Sequence, residues 1–243
     1  MEEIGIPENY AKLDYEIYPE FSNSIGFTQR GCRLKCKFCV VPEKEGKNKA
    51  VASIYDIWRG KPYPKNLHLL DNDFFGNPDW QDRANEIIDG GFKVCFNQGI
   101  NVRLIHKEGA AALSSMKYYD DSFTKRRIYT AWDNLKDQKI FFKGIDLLND
   151  AGIPGKHIMA YMLIGFKPEE TIEQILLRVR LMKERGILPY PMVYAPYGKE
   201  PKKVLKQVQR WVIRRYYEFV EFEDYVSKPF NPKTKNLEIL SAG

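Results

Sequence analysis

The sequence alternates short, almost wholly apolar runs with longer segments of helical periodicity, and this alternation limits the possible folds more than any other feature. The runs lie at residues 24–28, 67–70, 93–96, 127–132, 157–164 and 192–194. Apolar runs without polar alternation are typical of parallel strands buried on both faces. Strands that alternate with helices form right-handed βαβ units. Because these units are too few for a closed eight-stranded barrel, we predict an α/β fold, an open, partial (β/α)6 barrel of parallel strands.

Helices between these strands are predicted from their termini and apolar spacing. Asn77 and Pro78 are expected to open one helix, which Gly90-Gly91 ends. Residues 135–149 are expected to form a second, and residues from 168 to Gly186 a third. The predicted inner stripes are Ile140, Gly144, Leu147 and Leu148 in the second helix, and Ile172, Ile175, Leu176, Val179 and Met182 in the third.

The chain from residue 201 onward is predicted to append a helix to the sheet. Apolar residues recur at helical spacing between Pro201 and about Phe222, with basic residues on the other face. The apolar set is Val204, Val208, Trp211 and Val212, and the basic stripe is Lys203, Lys206, Arg210 and Arg214. Such a stripe is either a solvated face or a surface that contacts phosphates. We therefore divide the chain into an N-terminal extension (1–21), the partial barrel (22–200) and a C-terminal helix and tail (201–243).

Size and charge leave most functions open. The 243 residues, 44% of them hydrophobic, fit one α/β domain. No run of about 18 apolar residues occurs, and Met1 to Pro7 lack the apolar segment of a secretory signal. We therefore expect a cytoplasmic protein that does not enter a membrane. The net charge of +6 suits an anionic ligand or nucleic acid, but ordinary solubility explains it equally.

Three of the four cysteines, Cys32, Cys36 and Cys39, lie directly after the first predicted strand. Crowded cysteines in a cytosolic chain indicate a metal site rather than a disulfide framework. A cubane iron–sulfur cluster takes four ligands, usually thiolates, so three cysteines can hold it while one iron lacks a protein ligand. The flanking basic residues are expected to favour thiolates and to offset the charge of a cluster. These residues are Arg30, Arg33, Lys35 and Lys37.

A zinc ion is the alternative occupant of the same loop. Structural zinc takes four ligands, so Cys95 would have to supply the fourth. Cys95 lies in an apolar run, however, and a buried free cysteine usually behaves as a small hydrophobic residue. This spacing alone thus indicates only a metal site with three thiolates.

The C-x3-C-x2-C spacing, with Phe38 directly before the third cysteine, resembles the radical S-adenosylmethionine superfamily. The resemblance implies a [4Fe–4S] cluster whose open iron chelates the amino and carboxylate groups of S-adenosyl-L-methionine. One electron then cleaves the sulfur–C5′ bond, and the 5′-deoxyadenosyl radical abstracts a hydrogen atom from a substrate. The resemblance also implies that Phe38 contacts this cofactor.

Two polar segments match positions that bind the cofactor in the superfamily. After the second predicted strand, Asp71, Asn72 and Asp73 provide acceptors for its amino group. The alternative is a turn that caps the next helix. After the third strand, Gln98 and Asn101 are expected to bond ribose or substrate, and Arg103 to pair with the methionine carboxylate. These two segments supply the polar positions expected on the first half of the fold.

The later strand ends match the superfamily as well. Asp133 is placed to accept bonds from ribose hydroxyls, or else to cap the following helix. Ile164 and Gly165 are expected to support the adenine through their backbone, because a glycine lets the chain approach a flat ring closely. Tyr194 and Tyr197 would face adenine or substrate, or pack in the core instead.

The segment after the cysteines and the Asp-Asn-Asp-Phe site look most like the branch that includes cobalamin-dependent and methylthiotransferase-type radical enzymes. About 20 residues precede the predicted barrel, and no cysteine follows Cys95. We therefore expect a core without accessory domains, in which cobalamin-dependent methylation or sulfur insertion by this chain alone is disfavoured.

An electron donor such as flavodoxin or ferredoxin is the partner that the resemblance implies. The substrate remains open among nucleic acid or nucleotide, peptide and small metabolite. A protein of another class is the alternative: a nucleic-acid-binding protein that carries a metal or cluster, uses the basic stripe and performs no radical catalysis.

Overall fold

The computed structural model describes residues 13–196 and 200–227. The strands are β1 (Ser24–Gly26), β2 (Gln29–Arg30), β3 (Lys49–Ala50), β4 (Asn66–Leu69), β5 (Lys93–Phe96), β6 (Lys117–Tyr118), β7 (Ile128–Ala131), β8 (Ile158–Ile164) and β9 (Leu188–Val193). The helices are α1 (Val41–Lys44), α2 (Ile54–Ile57), α3 (Trp80–Asp89), α4 (Lys107–Ser115), α5 (Gln138–Asp150), α6 (Ile172–Glu184), α7 (Lys203–Ile213) and α8 (Phe222–Ser227). Residues 1–12, Tyr197 and the tail after residue 227, for which the sequence also made predictions, lie outside the described residues.

Two parallel sheets hold most of the strands. The first has the spatial order β1-β4-β5-β6 and the second the order β7-β8-β9. The backbone N–H of Ile100, just after β5, donates to Tyr129 O of β7 at 2.7 Å. This bond joins the segment after β5 to β7, so the two sheets lie side by side. In parallel sheets the loops at the carboxyl ends of the strands are where polar side chains gather.

The prediction of an α/β protein with parallel strands is confirmed. The six predicted runs correspond to β1, β4, β5, β7, β8 and β9. The two-residue strand β6 and the antiparallel pair β2–β3 were not predicted, because two residues carry no readable periodicity. The finer prediction, an open (β/α)6 barrel, stays a prediction, as does the division of the chain into three segments.

Some helix details were predicted wrongly. Asn77 does not cap α3: its side chain is buried, donates to Thr28 O at 3.1 Å and accepts from Asp79 N at 2.9 Å, and the helix begins at Trp80. The inner face of α5 is rotated from the predicted stripe, since Ile140 is 46% exposed whereas Phe141, Phe142, Gly144, Ile145 and Leu148 are buried. The longer aromatic residues occupy the core side because they bury more apolar area.

The last two long helices agree better with their patterns. Helix α6 begins after a capping box of Thr171 and Gln174, and it buries Ile175, Val179 and Met182 as predicted. Helix α7 buries Val208, Trp211 and Val212, with Val204 partly buried. It ends at Ile213 instead of continuing to Phe222, because Arg215 adopts a positive φ of 58°. None of the helices in the described ranges is both long and apolar enough to cross a membrane.

Helix α5 lies directly against the turn that follows β5. A Cβ atom at Gly144 would come within 2.0 Å of Val102 O and 2.7 Å of its carbonyl carbon. Only glycine permits this approach, since a backbone carbonyl cannot move aside as a flexible side chain can. The contact fixes the position of the neighbouring residues Asn101 and Arg103.

Replacement of Gly144 by alanine distinguishes the effect of this close contact on stability from the effect of helix propensity. Propensity alone would make Gly144→Ala stabilising by roughly 0.5–1 kcal/mol. We expect the opposite sign, a loss of about 1–3 kcal/mol from the clash with Val102 and a Tm lower by about 3–10 °C. Thermal unfolding followed by circular dichroism measures it, with Lys143→Ala on the exposed side of α5 as the control. A Gly144→Ala variant as stable as the parent would contradict the close approach.

Candidate active site

The cysteines lie in a loop of residues 31–48 that the antiparallel pair β2–β3 closes at its base. Gly31 begins the loop at a φ of 82°, and a Cβ atom there would meet Lys47 O at 2.3 Å. Within the loop Cys39 N donates to Cys36 O at 3.0 Å, and Leu34 N donates to Cys32 Sγ at 3.4 Å. The three cysteines are therefore held on a short loop with a defined backbone.

Asp71, at the end of β4, holds the start of this loop. Its side chain is buried and accepts hydrogen bonds from Thr28 N at 2.7 Å, from Gln29 N at 3.1 Å and from the Thr28 hydroxyl. Burial raises the pKa of Asp71 to about 6, although these donors favour the carboxylate. The Asp71 carboxylate thus joins β1 and β2 to β4.

Asp73 holds the two ends of the same loop together. Its buried carboxylate accepts from Arg33 Nε at 2.6 Å, from the Arg33 terminal nitrogen at 2.9 Å and from Asn48 Nδ2 at 3.1 Å. Its backbone N–H donates to Gln29 Oε1 at 3.1 Å. Such a bidentate arginine–carboxylate pair fixes geometry as well as charge. The Asp73 carboxylate is therefore bonded to the loop itself, and the Asp71 carboxylate to the two residues Thr28 and Gln29 that precede it.

The arginines beside the cysteines are paired with carboxylates. Arg30 contacts Glu45 at 2.6 Å, as Arg33 contacts Asp73, and Asn72 Nδ2 also donates to Glu45 at 3.0 Å. At Cys32 the effect of burial on the thiol pKa outweighs the attraction of Arg33. Burial raises the pKa of Cys32 above its ordinary value, the Leu34 N–H opposes this, and Asp73 adds to it.

All three cysteines line one cavity of about 240 Å³ between the loop and the strand ends. Most of the residues that the sequence predicted at the site line it too, and they come from four segments. These are Phe38 of the loop, Asn72 after β4, Gln98, Asn101 and Arg103 after β5, and Asp133 after β7. The fold thus brings together residues that are up to 101 positions apart (Cys32 to Asp133). It places Asp71 and Asp73 behind the wall of this cavity.

Three residues on this wall carry buried polar atoms that have no hydrogen-bond partner in the described chain. The atoms are Asn101 Nδ2, Arg103 Nε and Thr130 Oγ1. Buried donors without partners are rare in folded proteins and each costs about 1–3 kcal/mol. Their concentration at one cavity suits a ligand that brings acceptors. Thr130 was missed by the sequence, since within a strand a threonine is an ordinary β-branched residue.

A second cavity, of about 500 Å³, adjoins the first and shares Cys36, Phe38, Arg103 and Asp133 with it. A chain of aromatic rings crosses one side of it: Phe38 packs edge-on to Phe166 at 5.4 Å, and Phe166 to Tyr194 at 5.0 Å. Tyr194 N also donates to Ile164 O at 2.9 Å, which joins the ends of β8 and β9. The cysteine loop therefore contacts the carboxyl edge of the second sheet.

Asp133 lines this larger cavity, whereas Gly165 does not line it and lies directly before Phe166, which does. Gly165 has a φ of 81°, and a Cβ atom there would meet Leu205 at 2.6 Å. Asp133 Oδ1 accepts from Leu163 N at 2.8 Å, so Asp133 does not cap the next helix, whose N-cap residue is Asp137. Burial raises the pKa of Asp133, while the Leu163 N–H, Arg178 and Arg103 oppose this.

Arg178, a residue that the sequence did not single out, ties these strand ends to α6. It is fully buried and donates to Trp132 O at 2.8 Å, to Leu163 O at 3.3 Å and to the Glu170 carboxylate at 2.6 Å. Removal of either Arg178 or Glu170 is expected to destabilise the fold, because it leaves the other charge buried and unpaired. The predicted inner stripe of α6 did not include Arg178, which the structure buries.

Among the described residues no group of three or more His, Cys, Asp or Glu side chains is close enough to hold a single metal ion. A cubane cluster makes a different demand, because each thiolate binds a separate iron and the thiolates lie around the cluster instead of around one ion. Cys95 is buried in β5 and does not line the cavity of the other cysteines. Burial raises the pKa of its thiol to about 12.

Similarity to known proteins is distant. No protein-family model matches the sequence, and no solved structure matches it. Among curated proteins the chain is similar to the tRNA-2-methylthio-N(6)-dimethylallyladenosine synthase of Sulfurihydrogenibium sp. (strain YO3AOP1), with 26% identity over 192 residues. The alignment covers 71% of this chain and 42% of that protein, so the chain spans less than half of its relative's length. This distant similarity gives weak support to the radical S-adenosylmethionine superfamily that the cysteine motif resembles.

Proposed function

We propose that this chain is a radical S-adenosylmethionine enzyme, with Cys32, Cys36 and Cys39 as ligands of a [4Fe–4S] cluster. The observation that carries the proposal is the cavity that these cysteines share with Asn101, Arg103 and Thr130, whose buried polar atoms lack partners. The motif and the distant similarity to a methylthiotransferase-type enzyme support the same conclusion.

The donor set of the smaller cavity fits the methionine end of the cofactor. Arg103 and Asn101 supply unpaired N–H donors for a carboxylate. Asn72 uses its amide nitrogen on Glu45, which leaves its carbonyl oxygen as an acceptor for an amino group. Asp71 and Asp73 then act through the loop: they position the cysteines and Asn72 instead of accepting from the cofactor directly.

The larger cavity fits the adenosine end. Asp133 lines both cavities, and the Leu163 N–H orients its carboxylate, which can accept from ribose hydroxyls. Phe38 and Phe166, which both line this cavity, offer aromatic surface to the adenine. Gln98 is exposed and lines the smaller cavity, where it can contact ribose or substrate.

When bound, the cluster and S-adenosylmethionine supply one-electron cleavage of the sulfur–C5′ bond and so the 5′-deoxyadenosyl radical that abstracts a substrate hydrogen. The chain's own residues bind and orient the cofactor. The substrate that donates the hydrogen is not specified by these residues.

Cysteine substitutions test the ligand assignment. We expect anaerobically reconstituted protein to hold about four iron and four sulfide per monomer and to release 5′-deoxyadenosine with dithionite and S-adenosylmethionine. Cys32→Ala, Cys36→Ala and Cys39→Ala should each lose cluster and cleavage, since each removes one of three thiolates. Iron analysis, electron paramagnetic resonance and chromatography of the product measure these outcomes.

Cys95→Ala is the matched control, because Cys95 is buried in β5 and does not line the cavity of the other cysteines. It should keep both iron and cleavage. A protein that carries its full iron and sulfide but never cleaves the cofactor would refute the enzyme, and one that binds zinc tightly in place of iron would refute the cluster.

Asn101→Ala tests whether the unpartnered amide serves a ligand. Loss of a hydrogen bond to a charged group costs about 1.5–3 kcal/mol, so we expect S-adenosylmethionine to bind roughly 10- to 100-fold more weakly. Because Asn101 Nδ2 has no partner in the described chain, the Tm should stay within about 3 °C of the parent's, a ΔΔG of about 1 kcal/mol or less. Anaerobic isothermal titration calorimetry and thermal unfolding give the two values, with the exposed Asn149→Ala as control. Unchanged affinity would remove Asn101 from the cofactor site.

The second candidate function is a radical enzyme whose substrate is a nucleic acid. The similar protein is by name a tRNA-modifying synthase, and the basic stripe on α7 is exposed: Lys203, Lys206, Arg210 and Arg214. Lys206 pairs with Glu200 at 2.8 Å, which leaves the other three for phosphates. The radical would then act on a nucleoside of an RNA chain.

Salt dependence tests this candidate. Three or four phosphate contacts predict that log K falls with log salt at a slope of about −2 to −3 for single-stranded RNA. Lys203→Gln, Arg210→Gln and Arg214→Gln together should flatten that slope by about 2 or more. Fluorescence anisotropy with a labelled oligonucleotide measures it, and Lys125→Gln with Lys156→Gln, outside α7, is the control. An equal slope in both variants would exclude the stripe as a phosphate surface.

A further inference from the structure

Three tyrosines lie next to one another on the second sheet, one on each strand. They are Tyr129 of β7, Tyr161 of β8 and Tyr190 of β9. Tyr161 and Tyr190 are register partners, and their rings meet edge-on with centroids 5.4 Å apart. The rings of Tyr129 and Tyr161 are nearly parallel, at an interplanar angle of 12° and a centroid distance of 5.9 Å. We call these three residues the tyrosine row.

The tyrosine row keeps accessible surface although it lies within the sheet. Along β8, Ala160 and Met162 are fully buried, whereas Tyr161 and Leu163 are only partly buried. Side chains alternate between the two faces of a strand, so the tyrosine row shares one face of the sheet with Leu163. This face is opposite to the one that the fully buried residues pack into the core.

The tyrosine row lies one layer of side chains away from the candidate cofactor site. Ala131 and Leu163, two residues after Tyr129 and Tyr161 on the same face, line the smaller and the larger cavity respectively. Two residues along a strand span about 6.6 Å. A ligand that rests on the tyrosine row is therefore a direct neighbour of both cavities.

The hydroxyl groups of the tyrosine row make no hydrogen bond to any of the described residues. Burial raises the pKa of Tyr129 to about 12, and it raises the pKa of Tyr161 as well. Both hydroxyls therefore stay protonated and uncharged at neutral pH. A phenol hydroxyl both donates and accepts, so the row offers flat rings together with neutral polar groups.

The charges near the tyrosine row disfavour an anionic ligand. Asp121 and Asp120 add to the effect of burial and of Cys95 on the pKa of Tyr129. These carboxylates would repel a phosphate or a carboxylate group. An ammonium group offers donors alone, whereas the edge of a nucleobase offers both donors and acceptors. A flat, uncharged ring of this kind matches the row in shape and in hydrogen bonding.

We propose that the tyrosine row is a stacking platform for a nucleobase of the substrate. Proteins commonly bind unpaired bases by stacking them on aromatic side chains of a sheet. The inference rests on the proposed function for its place in the reaction, since it names the substrate class that meets the cofactor in the neighbouring cavities. The row binds the base itself, and the phosphates of the substrate lie away from the two aspartates.

Removal of two rings tests the platform. The test variant is Tyr161→Leu with Tyr190→Leu, and the matched control is Tyr55→Leu with Tyr63→Leu, two exposed tyrosines before β4. The probe is a labelled single-stranded RNA of about 12 nucleotides. Fluorescence anisotropy is measured on reconstituted protein with S-adenosylmethionine and no reductant, so that the cofactor fills its own adenine site. The test variant should bind about 10- to 100-fold more weakly than the parent, and the control should bind as the parent does.

A second probe isolates the contribution of the base. It is the same oligonucleotide with abasic sites in place of its bases. The parent should prefer the base-bearing probe by about tenfold or more, and the test variant should lose this preference. The slope of log K against log salt should be equal in parent and test variant, because stacking releases no counterions. That equality separates the tyrosine row from the basic stripe on α7, whose loss flattens the slope.

Two further measurements keep the test decisive if the leucine variant does not fold, as circular dichroism would show. Tyr161→Phe with Tyr190→Phe keeps both rings and should retain most of the parent's affinity. The parent itself, irradiated with the oligonucleotide carrying 4-thiouridine, should form crosslinks on peptides that contain Tyr129, Tyr161 or Tyr190. Competition by free uridine as strong as that by the oligonucleotide would identify a nucleoside as the source of the base. Competition by the oligonucleotide alone would identify RNA.

Three outcomes would overturn the platform: equal binding by the test and control variants, a parent that binds the abasic probe as tightly as the base-bearing one, or crosslinks confined to peptides outside β7, β8 and β9. A parent that never cleaves S-adenosylmethionine with dithionite would overturn the proposed function instead. The preference for the base-bearing probe needs no cleavage, so in that case it would still identify the tyrosine row as a base-binding site.

Discussion

The two buried carboxylates after β4 are the constraint on which the candidate site depends. Asp71 accepts from the backbone at the start of the cysteine loop, and Asp73 joins Arg33 to Asn48 near its two ends. Burial of a carboxylate is costly unless donors surround it. Here the donors lie just before the loop, at Thr28 and Gln29, and within it, at Arg33 and Asn48, so the folding of the loop is coupled to the carboxyl end of β4. The cysteines are thereby fixed relative to β4, a strand that comes later in the chain.

The second sheet is attached to the same site by a different device. Arg178 gathers the carbonyl groups of Trp132 and Leu163 and the carboxylate of Glu170, so the ends of β7 and β8 are held by one side chain of α6. Phe166 lies just beyond and packs on Phe38 of the cysteine loop. Hydrogen bonds and ion pairs thus fix the geometry of the strand ends within each sheet. Aromatic packing between the sheets holds the cavity walls together.

The sequence predicts the parallel strands, the cysteine loop and the strand-end positions of the polar residues, because each is a local pattern. It does not predict which of three consecutive residues faces the cavity. Asn72 lines it, while Asp71 and Asp73 face the loop, and that choice depends on partners 40 or more positions away in the chain. Arg178 is missed for the same reason: its three acceptors meet only after β7, β8 and α6 have packed.

The positive charges around the cysteines also divide by chemistry. Arg30 and Arg33, whose planar groups suit fixed carboxylate partners, are built into the loop by Glu45 and Asp73. Lys35 and Lys37, on the same loop, remain at the surface. A uniform set of cations would have had one effect, to stabilise thiolates. The division instead lets the arginines shape the loop while the lysines stay exposed, and at Cys32 burial, more than the charge of the nearby arginines, sets the direction of the pKa shift.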